Sequence, residues 1–119
     1  MNCGIYCIKR YLEDRGLSSE AVLRRLDGEI RNGQLSVLSI KNVLEEAGFT
    51  VRVYRENRLF SHAPDIVFDH VRGHFYLFRK QDRHWVYLAD FNHGDFRVPR
   101  FLFFLMNFKF IICIENTVL

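Results

Sequence analysis

Hydrophobic residues in the first third of the chain recur at the spacing of α-helices. Ile5, Ile8 and Leu12 lie three to four residues apart, and charged side chains occupy positions between and after them. This pattern predicts a first helix that begins near Cys3 and is stopped by Gly16.

Two further helices are predicted before residue 49. The shorter one turns Val22 and Leu26 inward and ends at Asp27-Gly28. The longer one is capped by Ser36 and closed by Gly48. Its apolar residues fall at i, i+3, i+4 and i+7: Ile40, Val43, Leu44 and Ala47.

After Gly48 the spacing changes to the alternation typical of β-strands. The predicted strands cover residues 49–54, 65–68, 74–79, 84–89, 96–98 and 108–115, with a short helix over 101–106. Helices first and an antiparallel sheet second predict an α+β fold. A length of 119 residues fits a single domain, residues 1–119.

Composition narrows the function classes. Hydrophobic residues make up 49% of the chain and aromatic residues 15%, which is enough to bury a core. The net charge of +3 comes from interspersed signs without a basic stripe, so nucleic-acid binding is not expected. The most apolar stretch, residues 101–114, carries Asn107 and Lys109 and falls short of the roughly 20 residues that span a bilayer. No phosphate-binding glycine loop is present, which disfavours an ATPase.

Among the three cysteines, Cys3 is the candidate nucleophile. It begins the first helix, where unpaired amides and the helix dipole favour a thiolate. The competing interpretation is an inert core cysteine, which is how we interpret Cys7 and Cys113. Cys3 and Cys7 lie one turn apart, too close for a structural disulfide, so a reducing, cytoplasmic setting is expected. Two cysteines without a second ligand pair are a weak metal signal, and no cofactor is predicted.

A predicted hairpin brings together a histidine and an acid. His74 opens one strand, Asp90 closes the next, and a turn over residues 81–83 joins them. If Lys80 pairs with His84, the register places His74 directly opposite Asp90, with Cβ atoms about 4.5 to 5.5 Å apart. A carboxylate there would orient the imidazole as a base. A slip of one residue would send the two side chains to opposite faces.

The other histidines are weaker candidates for the base. His93, in the turn after Asp90, is the nearest rival to His74. His84 lies at the far end of the hairpin, while His62 and His70 fall in stretches typical of loops. The competing interpretation of His74 itself is a half-buried histidine of a strand.

Several segments, in this order and spacing, resemble one family. They are Asn2-Cys3-Gly4-Ile5-Tyr6-Cys7, Gly33-Gln34-Leu35-Ser36, Ala47-Gly48-Phe49, Pro64-Asp65-Ile66, Gly73-His74-Phe75 and Leu88-Ala89-Asp90. Over residues 2–114 the chain resembles the bacteriocin-processing, double-glycine leader peptidases, family thirty-nine of the cysteine peptidases. The resemblance implies a papain-like fold with Cys3 as nucleophile, His74 as base and Asp90 as the residue that orients it.

The resemblance also implies partners. These are a leader-peptide substrate, cut after two small residues, and a separate membrane ABC-type exporter. The chain would then act in the cytoplasm, at the inner face of the membrane beside the transporter, without inserting into it.

Three positions depart from the family pattern. Asn2 stands where the family has an acid, and Phe91 replaces the proline after the Asp. The family's oxyanion-hole glutamine, a few residues before the nucleophile, has no counterpart because the sequence begins at Met1. Two hypotheses follow: a cysteine endopeptidase, or a catalytically weakened domain of the same fold that only binds a leader or partner protein.

Overall fold

The computed structural model describes residues 2–55, 64–105 and 108–116. The helices of this part are α1 (Cys3–Asp14), α2 (Glu20–Asp27), α3 (Val37–Glu46) and α4 (Arg100–Leu105). The strands are β1 (Phe49–Tyr54), β2 (Ile66–Asp69), β3 (His74–Gln81), β4 (Trp85–Asp90), β5 (Gly94–Pro99) and β6 (Phe108–Asn116). The predicted strands are present, and their described ends differ from the predicted ones by at most two residues.

Local signals explain the helix ends. The hydroxyl of Ser36 accepts a hydrogen bond of 3.0 Å from the amide of Ser39, so the predicted cap of α3 is confirmed. Gly16 follows α1 with φ +68°, a left-handed conformation that favours glycine and ends the helix. Ala47 was predicted to face inward but is exposed, because α3 ends at Glu46 and Ala47 follows as its C-cap.

All the described strands form one antiparallel sheet in the order β1-β6-β2-β3-β4-β5. The last strand, β6, lies between β1 and β2, so the C-terminal part of the chain holds the first strands in the sheet. The strands β3 and β4, which carry His74 and Asp90, are neighbours.

Alternation along the strands sends apolar side chains to both faces of the sheet. On one face they pack against α1, α2 and α3 in a core that includes Leu12, Ile40, Phe75 and Ile112. On the other face a smaller cluster gathers around Phe103 of α4. This α+β architecture confirms the predicted fold class. None of the helices in the described residues is long and apolar enough to cross a membrane.

Candidate active site

Cys3 is the first residue of α1, where unpaired backbone amides concentrate positive potential. Asn2 caps this end: its Oδ1 accepts hydrogen bonds from the amides of Gly4 at 2.8 Å and Ile5 at 3.4 Å. As the first helical residue, Cys3 keeps a backbone N–H without an intrahelical acceptor. This end of α1 can therefore stabilise an anion at or near the Cys3 thiol.

Cys3 and His74 line the same open pocket, which has a volume of about 320 Å³. Four segments form its walls: the N-terminus of α1, the turn before Leu35, the start of β3, and the residues after Asp90. A larger cavity of about 670 Å³ lies elsewhere, beside Tyr11 and Arg79, and no cysteine or histidine is among its described lining residues. The candidate catalytic residues therefore lie at the smaller pocket.

The absence of a side chain at Gly4 lets α1 approach β3 closely. A Cβ atom there would lie 3.0 Å from Leu35 Cδ2 and 3.2 Å from Phe75 Cδ2, closer than about nine in ten real Cβ contacts. Leu35 and Phe75 are buried, so neither can move aside easily. Cys3 precedes Gly4 and His74 precedes Phe75. The close packing of Gly4 against Phe75 therefore keeps the thiol and the imidazole at the same pocket.

A tight turn forms the second wall of the pocket. Arg31 and Gln34 exchange two backbone hydrogen bonds of 2.9 Å, and the two residues between them, Asn32 and Gly33, have φ of 54° and 73°. Two central residues with positive φ are typical of a type I′ turn, for which Asn-Gly is a strong sequence signal that our sequence analysis did not use. The Nδ2 of Asn2 donates a 2.9 Å hydrogen bond to the Gly33 carbonyl and ties this turn to the start of α1.

The predicted register of the β3–β4 hairpin is wrong. Gln81 pairs with Val86, so four residues lie between the last paired residues of the hairpin instead of three. The carboxylate of Asp82 causes this, because its Oδ1 accepts hydrogen bonds from the amides of His84 at 2.9 Å and Trp85 at 2.8 Å. Val86 lies three positions beyond the residue that was predicted to pair with Gln81. Because successive residues of a strand point to opposite faces, a shift by this odd number would put His74 and Asp90 on opposite faces of the sheet.

An irregularity between Phe78 and Lys80 changes the register by one residue. Arg79 is the extra residue of this bulge, and beyond it Leu77 pairs with Ala89, two positions from the predicted register. A shift by an even number of residues keeps the side chains of His74 and Asp90 on the same face of the sheet, although the two residues no longer lie directly opposite each other.

His74 and Asp90 consequently approach each other diagonally. Nε2 of His74 lies 3.3 Å from Oδ2 of Asp90, and the ring of His74 also meets the ring of Tyr76 at a centroid distance of 4.7 Å. The 3.3 Å contact is within ion-pair range but is not aligned as a hydrogen bond, so the buried Nε2 has no hydrogen-bond partner among the described residues.

Asp90 is held mainly by His93, three residues later in the turn. Its side chain is 2% exposed, its Oδ1 accepts a short hydrogen bond from the backbone N–H of His93, and its Oδ2 lies 3.1 Å from Nδ1 of the same residue. Burial raises the pKa of Asp90, but the amide and imidazole of His93 and the charge of His74 outweigh it and lower this pKa below 3.8. Asp90 is therefore a carboxylate at neutral pH.

The other two cysteines lie in less reactive surroundings. Cys7 is fully buried on α1, and burial, with Cys3 and Asp90 nearby, raises its pKa well above the ordinary value. Cys113 is half-buried in β6, and burial raises its pKa to about 11. The prediction of a core position is confirmed for Cys7, while Cys113 packs at the margin of the second cluster.

The remaining histidines are not among the described residues that line the pocket. His93 contacts Asp90 but has 74% of its side chain exposed, and His70 and His84 are exposed as well. His62 lies outside the described residues. Within the described ranges, His, Cys, Asp and Glu side chains form no group of three or more that could hold a metal ion.

Comparisons with known proteins agree with this fold. Over 98% of the chain and 85% of the matched chain, the fold resembles a double glycine motif protease from an AMS/PCAT transporter solved in complex with the leader peptide, with a TM-score of 0.79 and 18% identity. It also resembles the N-terminal peptidase C39 like domain of a toxin secretion ATP-binding protein from Vibrio parahaemolyticus, with a TM-score of 0.70 and 12% identity over 95% and 93% of the two chains.

Sequence comparison places the chain in a family. No curated protein matches it significantly. The model of the peptidase C39 family, in contrast, matches residues 1–117. The chain therefore belongs to the peptidase C39 family and is a cysteine peptidase-like domain with the fold of the double-glycine leader peptidases.

Proposed function

We propose that this domain is a cysteine endopeptidase that cuts a leader peptide after two small residues, with Cys3 as nucleophile, His74 as base and Asp90 as the residue that orients His74. The observation that carries the proposal is that Cys3 and His74 line one pocket while the carboxylate of Asp90 lies 3.3 Å from Nε2 of His74. With Nε2 turned to the acid, Nδ1 is the ring nitrogen left to serve the thiol.

The reaction then follows from these positions. The Cys3 sulfur attacks the scissile carbonyl carbon, and His74 takes the thiol proton. The protonated imidazole returns this proton to the leaving amine as the C–N bond breaks, which leaves an acyl-cysteine. Water, deprotonated by His74, hydrolyses the thioester and restores the thiol. Asp90 stabilises the imidazolium that forms twice in this cycle.

The substrate assignment rests on the family and on the size of the pocket. One solved structure of this fold is a double glycine motif protease bound to its leader peptide. A pocket of about 320 Å³, narrowed by Leu35 and Phe75, suits the small side chains of such a motif. A separate ABC-type exporter is the proposed partner, which would bring the domain to the cytoplasmic face of the membrane.

Stabilisation of the tetrahedral oxyanion needs hydrogen-bond donors next to the Cys3 thiol. The backbone N–H of Cys3 supplies one donor, and the family's second donor is a glutamine ahead of the nucleophile. Asn2 does not replace it, because its Nδ2 is engaged by the Gly33 carbonyl and its Oδ1 by helix amides. Loss of one such donor typically costs about 100- to 1,000-fold in rate. We therefore expect a glutamine supplied ahead of Cys3 to accelerate cleavage.

Single-turnover cleavage of a synthetic leader peptide with a Gly-Gly motif tests this function. Wild type should cut it after the second glycine, whereas Cys3→Ala and His74→Ala should bind the peptide without cutting it. Cys113→Ser is the matched control, because it removes a thiol remote from the pocket and should leave the rate unchanged. A short N-terminal extension bearing glutamine should raise the rate with little change in affinity.

The outcomes separate the two candidate functions. Binding by wild type without any cleavage, with or without the extension, would identify a leader-binding domain instead of a peptidase. Absence of binding by both forms would refute the substrate class. A cleavage rate that the glutamine-bearing extension leaves unchanged would refute the oxyanion argument.

A further inference from the structure

One oxygen of Asp90 lies between two imidazoles. Oδ2 is 3.3 Å from Nε2 of His74 and 3.1 Å from Nδ1 of His93. The two histidines differ in surroundings, since 17% of the His74 side chain and 74% of the His93 side chain are exposed. The half-buried imidazole of His74 lines the pocket, and the exposed imidazole of His93 contacts the same acid.

The two contacts are not equivalent. The contact with His93 has the geometry of a hydrogen bond, whereas Nε2 of His74 has no aligned partner among the described residues. His93 also donates its backbone N–H to Oδ1, so a single residue occupies both carboxylate oxygens. The position of Oδ2 beside His74 thus depends on two bonds from His93.

His93 is itself held in place. Its ring meets the ring of Phe96 edge-on at a centroid distance of 6.3 Å, and Phe96 packs against the second apolar cluster. The turn that carries His93 is closed by the pairing of Asp90 with Gly94. An exposed histidine fixed by a ring contact and a tight turn loses less conformational entropy on bonding than a free surface side chain.

We propose that His93 is a positioning residue of the active site, donating Nδ1–H to Oδ2 of Asp90 and thereby keeping this oxygen next to Nε2 of His74. The proposal rests on the proposed function and adds a fourth member to the series Cys3, His74 and Asp90. Without the His93 ring, the backbone amide would still hold Oδ1. The carboxylate could then turn about its Cβ–Cγ bond, a torsion with a broad minimum, and Oδ2 would leave the imidazole.

Two substitutions at residue 93 separate positioning from mere structural support. His93→Ala removes the donor, while His93→Asn retains one, because Nδ2 of asparagine can occupy nearly the same position as Nδ1 of histidine. His84→Ala is the matched control: this histidine is also exposed and lies at the other end of the hairpin, away from the pocket. Each variant is assayed with the Gly-Gly leader peptide, both with and without the glutamine-bearing extension.

We expect kcat to fall about 3- to 10-fold in His93→Ala with KM unchanged, a range set by a charge-assisted hydrogen bond weakened by exposure. His93→Asn should recover to within about twofold of wild type, and His84→Ala should match wild type. An unchanged or higher kcat in His93→Ala, or no recovery in His93→Asn, would overturn the proposal.

A second measurement stands apart from the peptidase assay. Carbon-13 NMR of the Asp90 carboxyl group reports its pKa directly, and this pKa should rise more in His93→Ala than in His93→Asn, and not at all in His84→Ala. If wild type does not cut the peptide but the Asp90 pKa responds in this order, the proposed function fails while His93 is still shown to hold the acid. If the Asp90 pKa does not respond to His93→Ala, the positioning role fails whatever the peptidase result.

Discussion

The three thiols of this chain should react with an aromatic disulfide reagent at different rates, and Cys3 should react first. The reagent needs a thiolate and physical access, and the surroundings of the three thiols are different. Cys3 lies at the positive end of α1 on an open pocket. Cys7 is fully buried one turn further along the helix, and Cys113 is half-buried in β6.

The expected difference can be worked out for Cys113. Its pKa is raised from 9.0 to about 11, so at neutral pH it carries about a hundredfold less thiolate than an ordinary thiol. A more basic thiolate is also more nucleophilic, with a Brønsted slope of about 0.45, which returns roughly eightfold. Cys113 should therefore react about tenfold more slowly than an ordinary thiol of equal access. Cys7 should react only when α1 opens locally.

Stopped-flow absorbance at pH 7.5, followed by peptide mapping, measures these rates. The fast phase should map to Cys3, disappear in Cys3→Ala and persist in Cys113→Ser. The rate at Cys113 should continue to rise as the pH approaches 11, because its thiolate population grows up to that pH. Labelling of Cys7 before Cys3, or equal rates at all three thiols, would refute the assignment of Cys3 as nucleophile.

Three further predictions concern the supports of the site. Gly4→Ala should destabilise the domain in urea unfolding and slow cleavage, because the new methyl group would lie 3.0 Å from Leu35 and 3.2 Å from Phe75. Overpacking of this kind costs about 1 to 3 kcal/mol, which exceeds the gain of at most about 1 kcal/mol in helix propensity. Equal or greater stability of the variant would contradict this prediction. Asn2→Ala should lower the free energy of unfolding by roughly 1 to 2 kcal/mol, since it loses the cap and the Gly33 bond, and Asn2→Asp, which keeps the cap, should lose less. The lowered pKa of Asp90 means that its ionised form stabilises the fold above about pH 4, and that this contribution is lost as the pH falls through the lowered folded-state value. The stability difference between wild type and Asp90→Asn should therefore shrink below pH 4, and a constant difference from pH 7 to pH 2 would disprove this linkage.

The sequence by itself determined the elements of the fold. Apolar spacing and the caps at Ser36 and Gly16 located the helices, and alternation located the strands, because these signals act between residues close in the chain. The family resemblance selected Cys3, His74 and Asp90 from three cysteines and several histidines. Composition and local pattern alone left Cys3 and His74 open to structural interpretations.

The tertiary structure decided how the candidate residues meet. The carboxylate of Asp82 shifted the register of the hairpin by an odd number of residues. The bulge at Arg79 made the total shift even, which puts His74 and Asp90 on the same face of the sheet. Hydrogen-bonding alternatives of this kind differ by only about 1 kcal/mol each, so no single position predicts them. The bond from Asn2 to Gly33 and the hold of His93 on Asp90 depend likewise on where whole segments pack. Local periodicity thus fixed which elements form, whereas side-chain contacts between those elements fixed the register on which the proposed chemistry depends.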